Sequence, residues 1–150
     1  MLLWGPSPDD PSEIGQLRVK LRSELNSLGH LAQFSEELIL VDHGLSIKTQ
    51  QLMHAQHFDL VVSMPCTPGS ISELHDFISD NRISKKLLVF LNEDFNSGYQ
   101  FQSVVATSSV LTYKTIPYNG FDDLPIVEKS VLNEIQRIRE IKYFNEGRWI

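Results

Sequence analysis

The segment Pro68-Gly69-Ser70, followed by Glu73, contains the residue types whose spacing could do chemistry. It comes after the apolar run Leu60-Val61-Val62, which predicts a strand, and it opens a pattern that predicts a helix over 70–80. At a helix start, free backbone amides and the helix dipole favour an anion such as phosphate. A carboxylate one turn further along would lie beside that anion without coordinating it.

Ser70 and Glu73 also have the spacing of a capping box. In that motif the serine hydroxyl and the glutamate carboxylate satisfy free amides at the helix start, and no ligand is needed. The spacing alone is therefore compatible with a helix cap and with a ligand site.

Strand and helix patterns alternate along the chain. Helices are predicted from an N-cap at Asp10 to a stop at Gly29, and over 46–56, 70–80 and 126–145; the predicted strands cover 2–4, 30–34, 58–63, 87–91 and 110–113. This alternation predicts right-handed crossovers and a mainly parallel sheet of about five strands, hence a Rossmann-like three-layer α/β sandwich.

Ligands of such sheets bind beyond the carboxyl ends of the strands. The turns after the first, third and fourth strands are therefore the predicted binding loops. They contribute the candidate ligand-binding residues Gly5, Pro6, Ser7, Pro68, Gly69, Ser70, Asn92 and Glu93.

Composition limits the possible partners and surroundings. The chain has 150 residues, 41% of them hydrophobic, which predicts a single domain over 1–150. Its net charge of −6 argues against duplex nucleic acid or a membrane surface as partner. With one cysteine, no transmembrane-length apolar run and no secretory signal, we expect a soluble cytoplasmic protein.

Several other chemistries lack a required partner residue. Cys66 has Ser72, not arginine, six positions later, so a phosphatase-type thiol is not predicted. His54 and His57 have no identifiable third metal ligand. The glycine-rich motifs of P-loop NTPases and dinucleotide dehydrogenases are missing, and no cofactor is predicted.

Residues 65–74, Pro-Cys-Thr-Pro-Gly-Ser-Ile-Ser-Glu-Leu, resemble the P-G-G-x-G-T-x-x-E signature of the lysine decarboxylase-like (SLOG) nucleotide-binding superfamily, which includes cytokinin-activating phosphoribohydrolases. They also resemble the G-T/S-x-x-E-L segment of nucleoside 2-deoxyribosyltransferases and deoxynucleoside monophosphate N-hydrolases. The first-strand turn at 5–7 is similar to theirs. The runs GSISELHDF and KKLLVFLNEDF look closest to effector domains that accompany retrons in anti-phage defence.

The resemblance implies a role for each matching residue. Glu73 matches the glutamate that attacks the anomeric carbon or assists glycosidic cleavage, and Gly69 and Ser70 match the phosphate- or sugar-binding loop. Cys66 and Thr67 replace the two motif glycines, so this loop is bulkier. Thr67 also stands where the deoxyribosyltransferases carry the aspartate that protonates the leaving base.

N-glycosidic cleavage needs one carboxylate near the sugar and a proton donor at the base. Glu36, Glu37, Glu93 and Asp42 are candidates for the second group. Asp42 is preferred, because it follows the second strand, where related enzymes keep an acidic residue.

The predicted function is binding of a nucleotide or nucleoside with N-glycosidic cleavage, as hydrolase or transferase, through Glu73 and Asp42. The alternative is a non-catalytic nucleotide-sensing or effector module of a prokaryotic defence system, and a third possibility is a structural subunit without ligand. Related domains often complete their pockets across a dimer. The resemblance therefore implies a homodimer or a complex with a partner protein, for which Tyr99, Phe101 and the closing helix offer apolar surface.

Overall fold

The computed structural model of the chain describes residues 1–42, 44–66, 68–93, 102, 113–119 and 121–146, without the side chains of 68, 69, 72, 73 and 121. Its five parallel strands form one sheet in the order β2-β1-β3-β4-β5. The strands are β1 (Leu2–Trp4), β2 (Gln33–Phe34), β3 (Val61–Ser63), β4 (Leu87–Asn92) and β5 (Lys114–Tyr118). The predicted parallel α/β fold is thereby confirmed.

Within the described residues, five α-helices connect and follow these strands. They are α1 (Glu13–Ser27), α2 (Ile47–His57), α3 (Pro68–Ile78), α4 (Asn81–Ser84) and α5 (Leu124–Glu146). Short 3-10 helices cover Ser35–Leu38, after β2, and Phe121–Asp123, before α5. None of the helices in this part of the chain combines the length and the apolar character needed to cross a bilayer.

The sheet is covered on both faces. Central strands pair in the register Leu2–Val61–Leu87, and alternate residues of each strand face opposite layers. One face packs on α1 and α5 through a cluster that includes Leu3, Val62, Leu88, Phe90, Leu17, Leu21, Val127 and Val131. The other packs on α2, α3 and α4 through Leu2, Val61, Val89, Ala55, Leu74, Phe77 and Ile83. This explains why β3 and β4 are apolar up to their last residues, Ser63 and Asn92.

The start of α1 differs from the prediction. Ser12, not Asp10, is the N-cap, and its hydroxyl accepts a hydrogen bond from Gly15 N at 3.1 Å. Asp10 instead accepts from Ser12 N at 2.7 Å and so holds the preceding turn. Its carbonyl packs against the helix, where a Cβ added at Gly15 would lie 2.5 Å from Asp10 O. The backbone at Asp10 therefore crosses the start of α1 and is not part of the helix.

Three predicted strands also differ in their bounds. β3 begins at Val61 and is shorter than the predicted 58–63. β2 pairs only over Gln33–Phe34 and is shorter than the predicted 30–34. For the predicted strand at 110–113, residues 110–112 lie outside the described residues, and Tyr113 comes just before β5. β5 contains Pro117, which an edge strand tolerates because one of its sides needs no donors.

Candidate functional site

A cavity of about 340 Å³ opens at the carboxyl edge of the sheet, between the ends of β1 and β3. We call it the carboxyl-edge cavity. The chain leaves β1 toward β2 on one side, whereas β3 leads to β4 on the other, so the cavity lies at the topological switch point of the sheet. It is lined by Trp4, Gly5, Ser35, Glu36, Ile39, Ile47, Gln51, Ser63, Pro65, Ser70, Leu74 and Phe77.

Aromatic and aliphatic groups form much of this lining. The rings of Trp4 and Phe77 have centroids 4.8 Å apart, tilted by 36°, and both side chains are buried. Leu74 from α3 and Ile47 from α2 extend the apolar surface. A wall of this kind suits a planar, weakly polar group such as a base.

Glu36 is the carboxylate that the structure places in the described lining. Arg18 donates two parallel hydrogen bonds to it, Nη1 to Oε1 at 2.9 Å and Nη2 to Oε2 at 2.7 Å. The hydroxyl of Ser35 lies 3.3 Å from Oε2 and donates to it. The carboxylate is thereby fixed in orientation, although its side chain is 44% exposed.

Arg18 organises the wall behind this carboxylate. Its side chain is 0% exposed, and its guanidinium also donates to the carbonyl oxygens of Leu3 and Pro6. It therefore connects α1, the turn after β1 and the 3-10 helix after β2. Sequence reasoning missed this residue. The sequence does contain a signal for it. Arg18 lies four residues after Ile14 and three before Leu21, so this charged residue is on the apolar stripe of α1.

The turn after β1 contributes Gly5 to the cavity. A Cβ at Gly5 would lie 3.0 Å from Cδ of Arg18 and 3.3 Å from the carbonyl oxygen of Met64, so glycine permits the close packing. Pro6 is buried, with its carbonyl bound by Arg18, and Ser7 is exposed, with its hydroxyl accepting from Asp9 N at 3.3 Å. Neither Pro6 nor Ser7 is in the cavity lining.

The loop after β3 leads into α3 earlier than predicted. The helix begins at Pro68, because proline fits a first helical position, so Ser70 lies inside the first turn and is not the N-cap. Ser70 lines the cavity, and its hydroxyl accepts from Cys66 N at 2.9 Å. Thr67 and the side chains of Pro68, Gly69 and Glu73 lie outside the described residues. The role assigned to the Glu73 carboxylate stays a prediction.

Three other predicted residues are placed apart from this cavity. Asp42 is exposed in the segment between the 3-10 helix and α2. Asn92 ends β4 and is buried, whereas Glu93 is exposed. The structure thus brings Gly5, Ser70 and Glu36 together at one cavity, and its described lining does not include Asp42, Asn92 or Glu93.

The groups considered for other chemistries are also placed. Burial, together with the nearby carboxylate of Asp10, raises the pKa of the Cys66 thiol, against the lowering effect of the Ser70 hydrogen bond and Arg18. A protonated thiol is a poor nucleophile. In the part of the chain that the structure describes, no group of three or more His, Cys, Asp or Glu side chains could hold a metal ion.

No model of a known protein family matches the chain, and no curated protein matches it significantly. The fold that the motif resemblance implied is present, and the family itself stays a prediction.

Proposed function

We propose that this protein binds a nucleoside or nucleotide in the carboxyl-edge cavity and cleaves its N-glycosidic bond, as a hydrolase or transferase that uses Glu73. The observation that carries the proposal is the cavity at the β1–β3 switch point, lined by the predicted residues Gly5 and Ser70. The resemblance to the lysine decarboxylase-like and 2-deoxyribosyltransferase-like families supports the same assignment.

The described lining favours a sugar over a phosphate beside Glu36. Ionised carboxylates are acceptors only, and the vicinal hydroxyls of ribose are donors that such a carboxylate can bind. The described lining residues include this one carboxylate and no Lys, Arg or His. We therefore expect a ribonucleoside to bind more tightly than its 5′-monophosphate, with the base against Trp4 and Phe77.

The position of Glu73 in α3 supports its role. Ser70, three residues earlier, and Phe77, four residues later, both line the cavity. Residues three and four apart share a face of a helix, so this turn of α3 is next to the bound sugar. In the proposed reaction the carboxylate attacks C1′, and the C1′–N bond breaks with its electron pair leaving on the base. The departing base takes a proton from water, and water or a second base then attacks C1′ and displaces the Glu73 carboxylate, which releases the sugar.

One observation favours a second candidate function, a binding module without turnover. Both oxygens of Glu36 already accept hydrogen bonds from Arg18, which suits Glu36 to hold hydroxyls and not to protonate a leaving base. Asp42, the other proposed acid, is not in the described lining. In this alternative the cavity senses a nucleoside or nucleotide, and the acidic protein acts with a partner protein or a second copy in prokaryotic defence.

Product analysis separates the two functions. Purified protein is incubated with the four ribonucleosides, their 2′-deoxy forms, their 5′-monophosphates and NAD, and free base is measured by chromatography. We expect release by the wild type and by Asp76→Asn, and none by Glu73→Gln. Asp76 is the matched control, since it is on the same helix, is exposed and pairs with Lys48 at 3.3 Å.

Each outcome decides between the candidates. Equal release by Glu73→Gln would remove Glu73 from the reaction. Binding in calorimetry without release would establish the module, and the absence of both binding and release would overturn both functions.

A further inference from the structure

A second cavity, of about 390 Å³, lies at the amino edge of the sheet. We call it the amino-edge cavity. Residues that precede β1, β2 and β3 form its floor, and one face of α5 forms its wall. The lining comprises Met1, Gly29, His30, Leu31, His57, Phe58, Asp59, Leu60, Ile135, Ile138, Arg139 and Lys142. It is on the opposite edge from the carboxyl-edge cavity, and neither proposed function uses it.

The charge of this lining is opposite to that of the whole chain. The chain carries a net charge of −6, yet two cations, Arg139 and Lys142, face the cavity against the single carboxylate of Asp59. Two histidines, His30 and His57, add to the basic groups. The carboxyl-terminal ends of α1 and α2 lie at this edge, and their partial negative charge attracts cations. Arg139 and Lys142 belong to α5, so they are not the last-turn cations of those two helices.

Arg139 has an uncompensated guanidinium. Lys142 pairs with Asp59, whereas no carboxylate of the described residues pairs with Arg139. Its Nη2 lies 3.3 Å from Nδ1 of His30. Burial lowers the pKa of His30, and the charge of Arg139 lowers it further. Among the described residues, the guanidinium of Arg139 thus has an imidazole and no carboxylate as its neighbour.

The same helix face adds an apolar surface. Ile135 lies three residues before Ile138 and four before Arg139, and Lys142 lies four and three residues after them, which places these residues on one stripe of α5. Leu60 and Phe58 lie across the cavity from this stripe. A bound molecule would therefore contact charged side chains at one end of the site and apolar side chains along the rest of it.

We infer that the amino-edge cavity binds a small organic anion, in which a carboxylate or phosphate monoester is carried on an apolar body. Arg139 supplies the planar donor fork that such oxygens accept from, and Lys142, one turn later and paired with Asp59, offsets the negative charge of that carboxylate. The isoleucines of α5 contact the apolar body. This site is independent of the proposed function at the carboxyl edge.

The test uses benzoate, which carries a carboxylate, and phenyl phosphate, which carries a phosphate monoester. Inorganic phosphate probes the anionic group alone, and benzyl alcohol probes the apolar body without the negative charge. Binding is followed by calorimetry and by NMR shifts of the His30 ring and the Ile135 and Ile138 methyl groups. We expect one or both organic anions to bind at least about tenfold more tightly than benzyl alcohol, in line with one charge-assisted hydrogen bond.

Variants locate the site. Arg139→Gln should weaken anion binding at least about tenfold, and Arg139→Lys should fall between it and the wild type. Lys129→Gln is the matched control, because Lys129 is on α5, is exposed and does not line the cavity. Ile47→Trp, which alters the opposite cavity, should leave anion binding unchanged.

Four results would overturn the inference. They are no binding of either organic anion, equal binding of benzyl alcohol, unchanged affinity in Arg139→Gln, and inorganic phosphate binding as tightly as phenyl phosphate. Far-UV circular dichroism confirms that each variant is folded. Because the carboxyl-edge function is assayed with nucleosides, its failure is distinguishable from failure here.

Discussion

At the scale of single residues, Arg18 is the side chain on which the carboxyl-edge cavity depends. Its guanidinium is fully buried, while its partner Glu36 is 44% exposed, so the cost of desolvation falls mainly on the arginine. Two carbonyl oxygens, of Leu3 and Pro6, offset that cost by accepting hydrogen bonds from it. Its Cζ also lies 4.5 Å from the centre of the Phe34 ring.

Replacement of Arg18 tests this dependence. Arg18→Met keeps the apolar stem but removes every hydrogen-bond donor. The carbonyl oxygens of Leu3 and Pro6 and the carboxylate of Glu36 then lose the guanidinium as their donor. We therefore expect the free energy of unfolding to fall by about 3 kcal/mol. The measurement is urea denaturation at neutral pH.

Arg22→Met is the matched control. Arg22 also lies over Phe34, at 4.4 Å, and pairs with Glu37, but these two side chains are 32% and 38% exposed. Its loss should cost less than about 1 kcal/mol. Equal effects of the two substitutions would contradict the structural role of Arg18.

At the scale of elements, the start of α1 is fixed by the loop that precedes it. Gly15 is helical, and alanine at an ordinary helical site is more stable than glycine by about 1 kcal/mol. Here the Asp10 carbonyl occupies the place of a Cβ, at 2.5 Å. The loop after β1 is therefore packed on the helix at a point that only glycine accommodates.

Gly15→Ala should consequently destabilise the protein. Crowding that forces the backbone to shift costs about 1–3 kcal/mol, which exceeds the gain in helix propensity. Thermal unfolding should show a lower midpoint for Gly15→Ala, and a midpoint equal to or above that of the wild type for Ser23→Ala at an exposed site of α1. A stabilised Gly15→Ala variant would show that the loop does not pack there.

The contact between α5 and β5 predicts a dependence on pH. Burial alone would raise the pKa of Glu134, but hydrogen bonds from Arg137 and Lys114 outweigh it, and the pKa lies below its ordinary value. A carboxyl whose pKa is lowered on folding stabilises fully above its unfolded pKa of 4.5, and this contribution is lost as pH falls through the folded value.

Glu134→Gln removes that contribution. We expect the variant to be less stable than the wild type by about 1 kcal/mol at neutral pH, since both cations are half exposed, and the difference to be lost as pH falls below 4.5 and through the lowered pKa. Urea denaturation across this pH range measures it. Glu140→Gln, at an exposed position of the same helix, is the matched control. A difference for Glu134→Gln that stays constant with pH would argue against the ion pair.

At the scale of the whole molecule, the two cavities lie at opposite edges of one sheet. Among the described residues, the lining of the carboxyl-edge cavity includes the Glu36 carboxylate, and that of the amino-edge cavity includes two cations of α5. The protein thus offers two different chemical environments, separated by the length of its strands. A ligand that binds only the folded state at either edge stabilises the whole fold.

A nucleoside should therefore protect the protein against unfolding. At a concentration of 100 times its Kd, we expect about 2.7 kcal/mol of added stability. Ile47→Trp, at a rim residue that is 60% exposed, should block the cavity and abolish this gain, measured as a thermal shift with adenosine.

Met53→Trp is the control on the same helix. Met53 is 43% exposed and does not line the cavity, so the nucleoside should stabilise this variant as it does the wild type. Equal protection of both tryptophan variants would move the nucleoside site away from the switch point.

Much of the fold could be predicted from the sequence, because buried strands and helices have recognisable patterns of apolar residues. β3 and β4 are apolar on both faces, and the stripe of α1 has an unbroken helical period. β5 was missed because Lys114 and Pro117 do not resemble a buried strand, and the N-cap of α1 was misplaced because Asp10 and Ser12 are both good caps.

The candidate site was predicted less completely, for a physical reason. Gly5 and Ser70 lie together at the cavity because strand ends in a parallel sheet converge on one edge, and their role in ligand binding stays a prediction. The pairing of Arg18 with Glu36 joins residues 18 positions apart, and no local pattern fixes such a contact. The one signal of this pairing in the sequence is Arg18 itself, a charged residue on the apolar stripe of α1.

Pro117 has a consequence for the behaviour of the protein in concentrated solution. β5 is at the edge of the strands that the structure describes, where unpaired backbone groups could template an additional strand from another molecule. Proline has no N–H to donate, so it interrupts any ladder that a neighbouring chain would extend along this edge. We therefore expect the residue that obscured the strand in the sequence also to disfavour edge-to-edge aggregation of the folded protein.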